Sequence, residues 1–135
     1  MTDFSPNQSN ADRLRLGLSS GALYPDVVTE QALEAAAEWG VADIELMLQT
    51  PGEHEPAFLR AVTGQAAAQG QRIDSVHSFQ AYYPLFTPYQ RRTNESLAIF
   101  DRLIEDAGDF GIRAIVWHGQ NRESAPSPDR WDDFL

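Results

Sequence analysis

The sequence predicts an α/β protein built on a parallel β-sheet. Short apolar runs alternate with amphipathic segments along the chain, and a glycine closes each of the first three amphipathic segments. Strands separated by helices are expected to run parallel, joined by right-handed crossovers and covered by those helices. This order fits both an open doubly wound sheet and half of an eight-stranded barrel. Neither G-x-G-x-x-G nor G-x-x-x-x-G-K-[ST] follows a strand, which counts against a nucleotide-binding open sheet.

Four segments have the composition of strands. They are short and rich in apolar residues, and turn-forming residues bound them, as SSGALYPD does after the first. The predicted strands cover residues 14–18, 41–48, 72–77 and 112–118. Each is short enough to be a strand of a small sheet.

Helices are predicted in the intervals between these strands. The first is capped by Thr29 and stops at Gly40, the second covers residues 55–69, and the third covers 90–109. The third has the clearest apolar stripe, formed by Leu97, Ile99, Phe100, Leu103, Ile104 and Ala107. A fourth helix is predicted to begin at Ser127, with Pro128 in its first turn, so the sequence ends inside it.

Length and composition limit the domain organisation. The 135 residues suffice for one small domain but fall short of the roughly 200 to 250 residues of a closed α/β barrel. Apolar residues make up 42% of the chain, enough for a packed core. Residues 1–12 are polar and are predicted to be a disordered tail.

Charge and residue usage exclude several kinds of partner. The formal charge of −10 repels phosphate backbones and anionic lipid, so nucleic acid is an unfavourable partner. No apolar run approaches the roughly 18 residues of a membrane-spanning helix, and the polar start lacks the layout of a secretory signal. The chain has no cysteine, so any metal would need nitrogen and oxygen ligands. These features predict a cytoplasmic protein without a membrane partner.

Three ionisable residues fall near the carboxyl ends of predicted strands. Glu45 lies in the later part of the second strand, and His77 and His118 end the third and fourth. In parallel α/β folds this end of the sheet, with the loops that follow it, forms the ligand-binding face. Imidazole and carboxylate groups bind divalent metals and transfer protons near neutral pH. We therefore predict Glu45, His77 and His118 as catalytic residues, with the two histidines as candidate metal ligands.

Less specific explanations exist for each of these residues. A histidine at a strand end more often forms a structural hydrogen bond than it binds a ligand, and Glu45 could pair with an arginine. Asp43 and Asp74 come earlier in their strands and are predicted to face solvent or pair with helices. His54 receives no functional role, because its PGEHEP segment does not continue to the H-E-x-x-H of a zinc protease.

Candidate substrate-binding residues come from the loops that follow the last two strands. The segment SFQAYYPLFTPY supplies Tyr82 and Phe86, which could stack on a substrate or form a hydrophobic lid. Asn121 follows His118 closely enough to line the same cleft.

Four segments together resemble a known family. LGLSSGALYP, VADIELML, RIDSVHSF and LIEDAGDFGIRAIVWHG, in this order, are similar to the N-terminal half of the xylose isomerase-like TIM barrels. The resemblance covers residues 13–135 and implies the first four β/α units of an eight-stranded barrel. It further implies a sugar or sugar-phosphate isomerase or epimerase that uses a divalent metal ion, Mn, Mg, Co or Zn.

The resemblance also implies roles for individual residues. His77 and His118 match the histidines that end strands three and four, which bind metal in the endonuclease IV branch and contact substrate in epimerase branches. Glu45 matches a glutamate common on strand two. A zinc-dependent phosphodiesterase acting on abasic DNA and a non-catalytic barrel half are the alternative functions.

The chain departs from the family by lacking strands five to eight, which carry most of the metal ligands and proton-transfer groups. We expect a truncated sequence, although a homo-oligomer in which two copies rebuild a barrel is a second explanation. A half barrel is expected to expose two sheet edges and an apolar interior.

Overall fold

The computed structural model describes residues 15–78 and 87–118. Within these ranges, four strands form one sheet in which every neighbouring pair is parallel and the strand order follows the chain. The strands are β1 (Gly17–Ser19), β2 (Asp43–Leu48), β3 (Arg72–Ser78) and β4 (Ala114–Trp117). The helices are α1 (Thr29–Glu38), α2 (Pro56–Ala68) and α3 (Gln90–Asp109), and one-turn 3-10 helices span Ser20–Leu23 and Pro51–His54.

The predicted alternation of strands and helices is confirmed within the described residues. The bounds of α3 agree with the prediction, and β3 extends one residue further than predicted, to Ser78. β1 begins later than predicted, and Leu16, placed in the first strand, is 81% exposed just before it. The predicted tail of residues 1–12 and the predicted fourth helix lie outside the described residues.

All three helices end at the predicted glycines. Gly40, Gly70 and Gly111 have φ values of 73°, 73° and 72°, a conformation that side chains with a Cβ rarely adopt. The residue after each glycine donates its N–H to a helix carbonyl five positions earlier, as Val41 does to Ala36 at 2.9 Å. This arrangement satisfies carbonyls that would otherwise lack a partner at the helix end.

The start of α1 differs from the prediction. Thr29 is the first helical residue and not its cap, because the residue in the cap position is Val28. The Thr29 hydroxyl instead donates to Glu53 Oε1 at 2.8 Å, and the Gln31 side chain accepts the N–H of Val28 at 3.4 Å. The Thr29 hydroxyl therefore binds Glu53, which lies 24 residues further along the chain, and does not cap α1 as the sequence predicted.

The three helices pack on one face of the sheet and form the core with it. A single buried cluster joins residues of β2, β3, α1, α2 and α3 and the residue Ile112 before β4; it contains Leu33, Ala36, Ile44, Leu46, Leu48, Leu59, Val62, Ala66, Ile73, Val76, Leu103, Ala107 and Ile112. A doubly wound sheet would have helices on both faces. Within the described residues the helix cover is one-sided, and the sheet keeps one open face.

The open face carries polar side chains in rows across the strands. The register of the strands aligns Gly17, Asp43 and Arg72 in the first row; Ser19, Glu45, Ser75 and Ala114 in the second; and Met47, His77 and Val116 in the third. The described part of this face is therefore mixed and not uniformly apolar, because Met47, Ala114 and Val116 lie on it beside the polar residues. In β2, Ile44, Leu46 and Leu48 are buried toward the helices. The residues between them, Asp43, Glu45 and Met47, lie on the open face.

A β-bulge in β3 shifts the alternation of that strand. Ile44 pairs with Ile73, but Glu45 pairs with Ser75, so Asp74 is the extra residue. Beyond the bulge, Val76 and Ser78 are buried toward the helices, and Ser75 and His77 lie on the open face.

Candidate functional site

Glu45 and His77 form a hydrogen-bonded pair near the carboxyl end of the open face. The Nδ1 atom of His77 lies 3.3 Å from Oε1 of Glu45. The side chain of His77 retains 14% of its accessible surface and that of Glu45 retains 30%, so both are partly shielded and remain reachable. Among residues 15–78 and 87–118, Glu45 pairs with His77 and with no arginine.

His118 joins this pair from the end of β4. Its ring centroid lies 4.6 Å from that of His77, and the two ring planes are inclined by 36°. His118 itself is exposed. The structure therefore brings together Glu45, His77 and His118, the three residues predicted to be catalytic, and we name them the Glu-His-His cluster.

The Glu45 contact determines which nitrogen of a neutral His77 ring can accept a proton. A carboxylate oxygen only accepts hydrogen bonds, so Nδ1 carries the hydrogen that faces Glu45. The Nε2 atom then has the free lone pair. A carboxylate that holds an imidazole in one tautomer and stabilises its protonated form is the arrangement found in many general bases.

A cleft of about 570 Å³ on the open face is lined by Glu45 but by neither histidine of the cluster, and it extends toward the amino ends of the strands, where Arg15, Asp43 and Asp74 line it. Glu45 lines it together with Ser19 and Ser75, its neighbours in the second row. Hydroxyl and carboxylate oxygens can bind the hydroxyl groups of a small polar ligand. The volume falls within the range of small-molecule sites.

A network of ion pairs lies at the amino end of the same face. Asp74 contacts Arg15 at 3.3 Å, Arg72 at 2.8 Å and Arg113 at 2.8 Å. Asp43 contacts Arg72 at 2.6 Å and Arg15 at 3.6 Å. We name these five residues the Arg-Asp network. Both aspartates are partly exposed, and in the described residues they pair with arginines in or just before the strands and not with helices.

His54, for which no role is predicted from the sequence, is buried on the other side of the sheet. It is 2% exposed, with Nδ1 located 2.9 Å from the carbonyl oxygen of Thr50 and Nε2 located 3.2 Å from Oγ of Ser78. Desolvation by burial lowers the pKa of His54 from its usual 6.5, and the Thr50 carbonyl and the charges of Glu53 and Glu55 oppose this only in part. The sequence contained no signal for this contact, since Ser78 lies 24 residues away.

Glu53 organises the loop between β2 and α2. Its Oε2 atom accepts the backbone N–H groups of Gln49 and Thr50, and its Oε1 atom accepts the Thr29 hydroxyl. The segment that directly follows β2 is therefore fixed from within and tied to α1.

The residues proposed as metal ligands do not by themselves form a metal centre. Within residues 15–78 and 87–118, no group of three or more His, Cys, Asp and Glu side chains could hold an ion. The Nδ1 atom of His77 is turned toward Glu45, and the two histidine rings lie against each other. The divalent metal therefore stays a prediction.

The candidate substrate-binding residues Tyr82, Phe86 and Asn121 lie outside the described residues. Their proposed contacts with substrate also stay predictions.

The fold and site together define a parallel α/β protein with an ionisable cluster at the carboxyl ends of adjacent strands. No family model matches the sequence. No curated protein matches it either. None of the helices in the described ranges has the length and apolar character needed to cross a membrane.

Proposed function

We propose that the protein is an isomerase or epimerase that transfers a proton beside the carbonyl group of a sugar or sugar phosphate. The observation that carries this proposal is the Glu-His-His cluster, in which a carboxylate contacts one imidazole and a second imidazole adjoins it. Such a cluster supplies a general base together with a second proton donor or acceptor. We assign no step to a metal ion.

The proposed scaffold is the first half of an eight-stranded parallel barrel. Its support is the strand order β1-β2-β3-β4, the parallel pairing and the helix cover on one face. In such barrels the helices lie outside and the catalytic residues lie at the carboxyl ends of the strands. The unpaired edges of β1 and β4 in the described residues would then be closed by further strands, from this chain or from a second copy.

The proposed mechanism begins at the Nε2 atom of His77. This atom removes a proton from the carbon beside the substrate carbonyl, and the bonding electrons move to the carbonyl oxygen to form an enediolate. Glu45 holds the ring in the required tautomer and stabilises the imidazolium that forms. In an isomerisation the imidazolium returns the proton to the former carbonyl carbon, while the hydroxyl proton on the neighbouring oxygen passes to the former carbonyl oxygen. An epimerisation requires, in addition to His77, a second proton donor on the opposite face of the deprotonated carbon. His118 orients a substrate hydroxyl.

The second row of the open face supports a polyhydroxylated substrate. Ser19 and Ser75 flank Glu45 in this row, and all three line the cleft. Together they offer several oxygen atoms to ligand hydroxyls. The net charge of −10 also favours a small substrate over a nucleic acid.

The test is exchange of carbon-bound hydrogen with solvent. The protein is incubated in D₂O with a panel of aldoses, ketoses and their phosphates, and deuterium beside the carbonyl is followed by NMR. We expect exchange with at least one member of the panel. We also expect the rate to fall by about 10²-fold or more in the variants His77→Gln and Glu45→Gln.

Glu34→Gln is the matched control, because it removes an exposed glutamate of α1. Its exchange rate should equal that of the wild-type protein. Full activity in His77→Gln, or no exchange with any compound of the panel, would contradict the proposed function.

A further inference from the structure

His54 and Ser78 lie directly behind the Glu-His-His cluster. Ser78 is the last residue of β3, follows His77 in the chain, and points to the opposite face, where it is 1% exposed. Its hydroxyl oxygen lies 3.2 Å from Nε2 of His54. A buried polar contact therefore holds the strand one residue beyond the proposed base.

The donor and acceptor roles in this contact follow from the second ring nitrogen of His54. Nδ1 lies 2.9 Å from the Thr50 carbonyl oxygen, which can only accept, so Nδ1 carries the hydrogen. In the neutral ring Nε2 is then an acceptor, and the Ser78 hydroxyl donates to it. Both polar groups gain a partner in a place where water has little access, so the contact has a defined direction and geometry.

The contact joins the two strands that carry the proposed catalytic pair. His54 belongs to the one-turn helix Pro51–His54 that follows β2, and Glu53 fixes that segment to the backbone of Gln49 and Thr50. The end of β3 is thus tied to the segment directly after β2. Glu45 lies on β2 and His77 on β3, and their 3.3 Å contact depends on how these strand ends are placed.

We propose that His54 is a positioning residue which, through Ser78, holds His77 against Glu45 and so fixes the His77 ring in its Nδ1–H tautomer. The proposal deepens the proposed function and rests on it for any effect on catalysis. The tautomer itself is measured without substrate. A failure of this proposal can therefore be distinguished from a failure of the proposed function.

The primary experiment compares Ser78→Ala with Ser96→Ala. Ser96 is a matched control, because it is a serine 2% exposed in α3. The ring nitrogens of His77 are observed by ¹⁵N NMR at a pH at which the ring is neutral. We expect the Nδ1–H tautomer to dominate in the wild-type protein and in Ser96→Ala, and a mixture of the two tautomers in Ser78→Ala.

The second variant, His54→Gln, removes the imidazole and retains an amide that can hydrogen-bond. We expect the His77 spectrum of this variant to shift in the same direction as that of Ser78→Ala. Where deuterium exchange is measurable, both variants should lower kcat about tenfold, with a smaller change in KM. Ser78→Thr, which retains the hydroxyl, should restore the wild-type tautomer.

An unchanged Nδ1–H tautomer in folded Ser78→Ala and His54→Gln would overturn the proposal. An equal change in Ser96→Ala would also overturn it, because the effect would then reflect a general loss of packing. If neither variant folds, a minor Nδ1–H tautomer of His77 in the wild-type protein overturns the proposal, and so does an altered tautomer in Ser78→Thr that retains the hydrogen bond to His54.

Discussion

The Glu-His-His cluster combines residues that play different physical parts. Glu45 and His77 are partly shielded and contact each other through defined atoms, whereas His118 is exposed and contacts His77 through its ring. A ring contact can be reproduced by an apolar aromatic side chain, but a hydrogen bond to substrate cannot. Substitution of His118 can therefore distinguish its ring contact with His77 from its proposed hydrogen bond to substrate.

We predict that His118→Phe and His118→Ala both lower kcat/KM for the deuterium exchange reaction by about 10- to 100-fold. This is the usual effect of removing a hydrogen bond to a charged or reacting group. The free energy of unfolding should change by less than about 0.5 kcal/mol, since the residue is exposed. Steady-state kinetics and urea unfolding provide the two measurements. Wild-type kinetics in His118→Phe would show that only the ring contact matters.

The contacts that could be predicted from the sequence follow from the regular pairing of strands, whereas those that could not involve a helix start and a loop residue. Glu45, His77 and His118 could be placed because strand ends are visible in apolar periodicity, and their meeting follows from parallel pairing. The contacts of Thr29 with Glu53 and of His54 with Ser78 join residues 24 positions apart. No local pattern encodes such pairs.

At the scale of single elements, the loop between β2 and α2 combines a buried histidine with a carboxylate that organises the backbone. It buries an ionisable ring, and its Glu53 carboxylate accepts two backbone N–H groups and a hydroxyl. The lowered pKa of His54 means that folding is linked to proton release from this side chain. The loop is therefore expected to be the acid-sensitive part of the described structure.

We predict that acid weakens the fold through His54. Below pH 6.5 the unfolded chain binds a proton at this residue more readily than the folded chain does, so the free energy of unfolding falls as the pH decreases. One such group contributes at most about 1.4 kcal/mol per pH unit. Urea unfolding between pH 7.5 and 5 measures the slope.

His54→Gln tests the assignment of this slope, because glutamine does not titrate. The variant is expected to be less stable at pH 7.5 but to lose less stability on acidification than the wild-type protein. Equal slopes in the two proteins would assign the acid sensitivity to other groups.

At the scale of the whole described structure, charge pairing and proposed proton transfer lie at opposite ends of the open face, and one cleft is lined by residues of both. The Arg-Asp network lies at the amino ends of the strands, and the Glu-His-His cluster lies at the carboxyl ends. Parallel barrels divide their two ends between stability and activity in the same way. Alteration of the network is therefore expected to change stability and leave the cluster intact.

We predict that Asp74→Asn lowers the free energy of unfolding by about 1 kcal/mol at low salt. Asp74 has three arginine partners, but each arginine is substantially exposed, and such pairs contribute little individually. In about 1 M NaCl the difference from the wild-type protein should shrink, because salt screens exposed charges. Urea unfolding at both salt concentrations measures it.

Asp101→Asn is the control for this prediction, since Asp101 is exposed on α3. This variant should differ from the wild-type protein by less than about 0.5 kcal/mol at either salt concentration. A loss in Asp74→Asn that does not depend on salt would argue against an electrostatic role for the network.

The extra residue in β3 also determines which side of the sheet each later residue of that strand faces. In a regular strand starting from Ile73, even steps would place Ser75 and His77 on the same side as Ile73, among the helices. Ile73 and Val76, both buried, are three positions apart, a spacing that only an interrupted strand allows. Relative to a regular strand of the same sequence, the bulge has therefore exchanged the two sides of the rest of β3. The presence of a proton-transfer group beside Glu45 is thus a matter of parity: straightening β3 with Asp74 retained would turn His77 toward the helices, whereas deletion of Asp74 would remove the bulge and keep His77 on the open face.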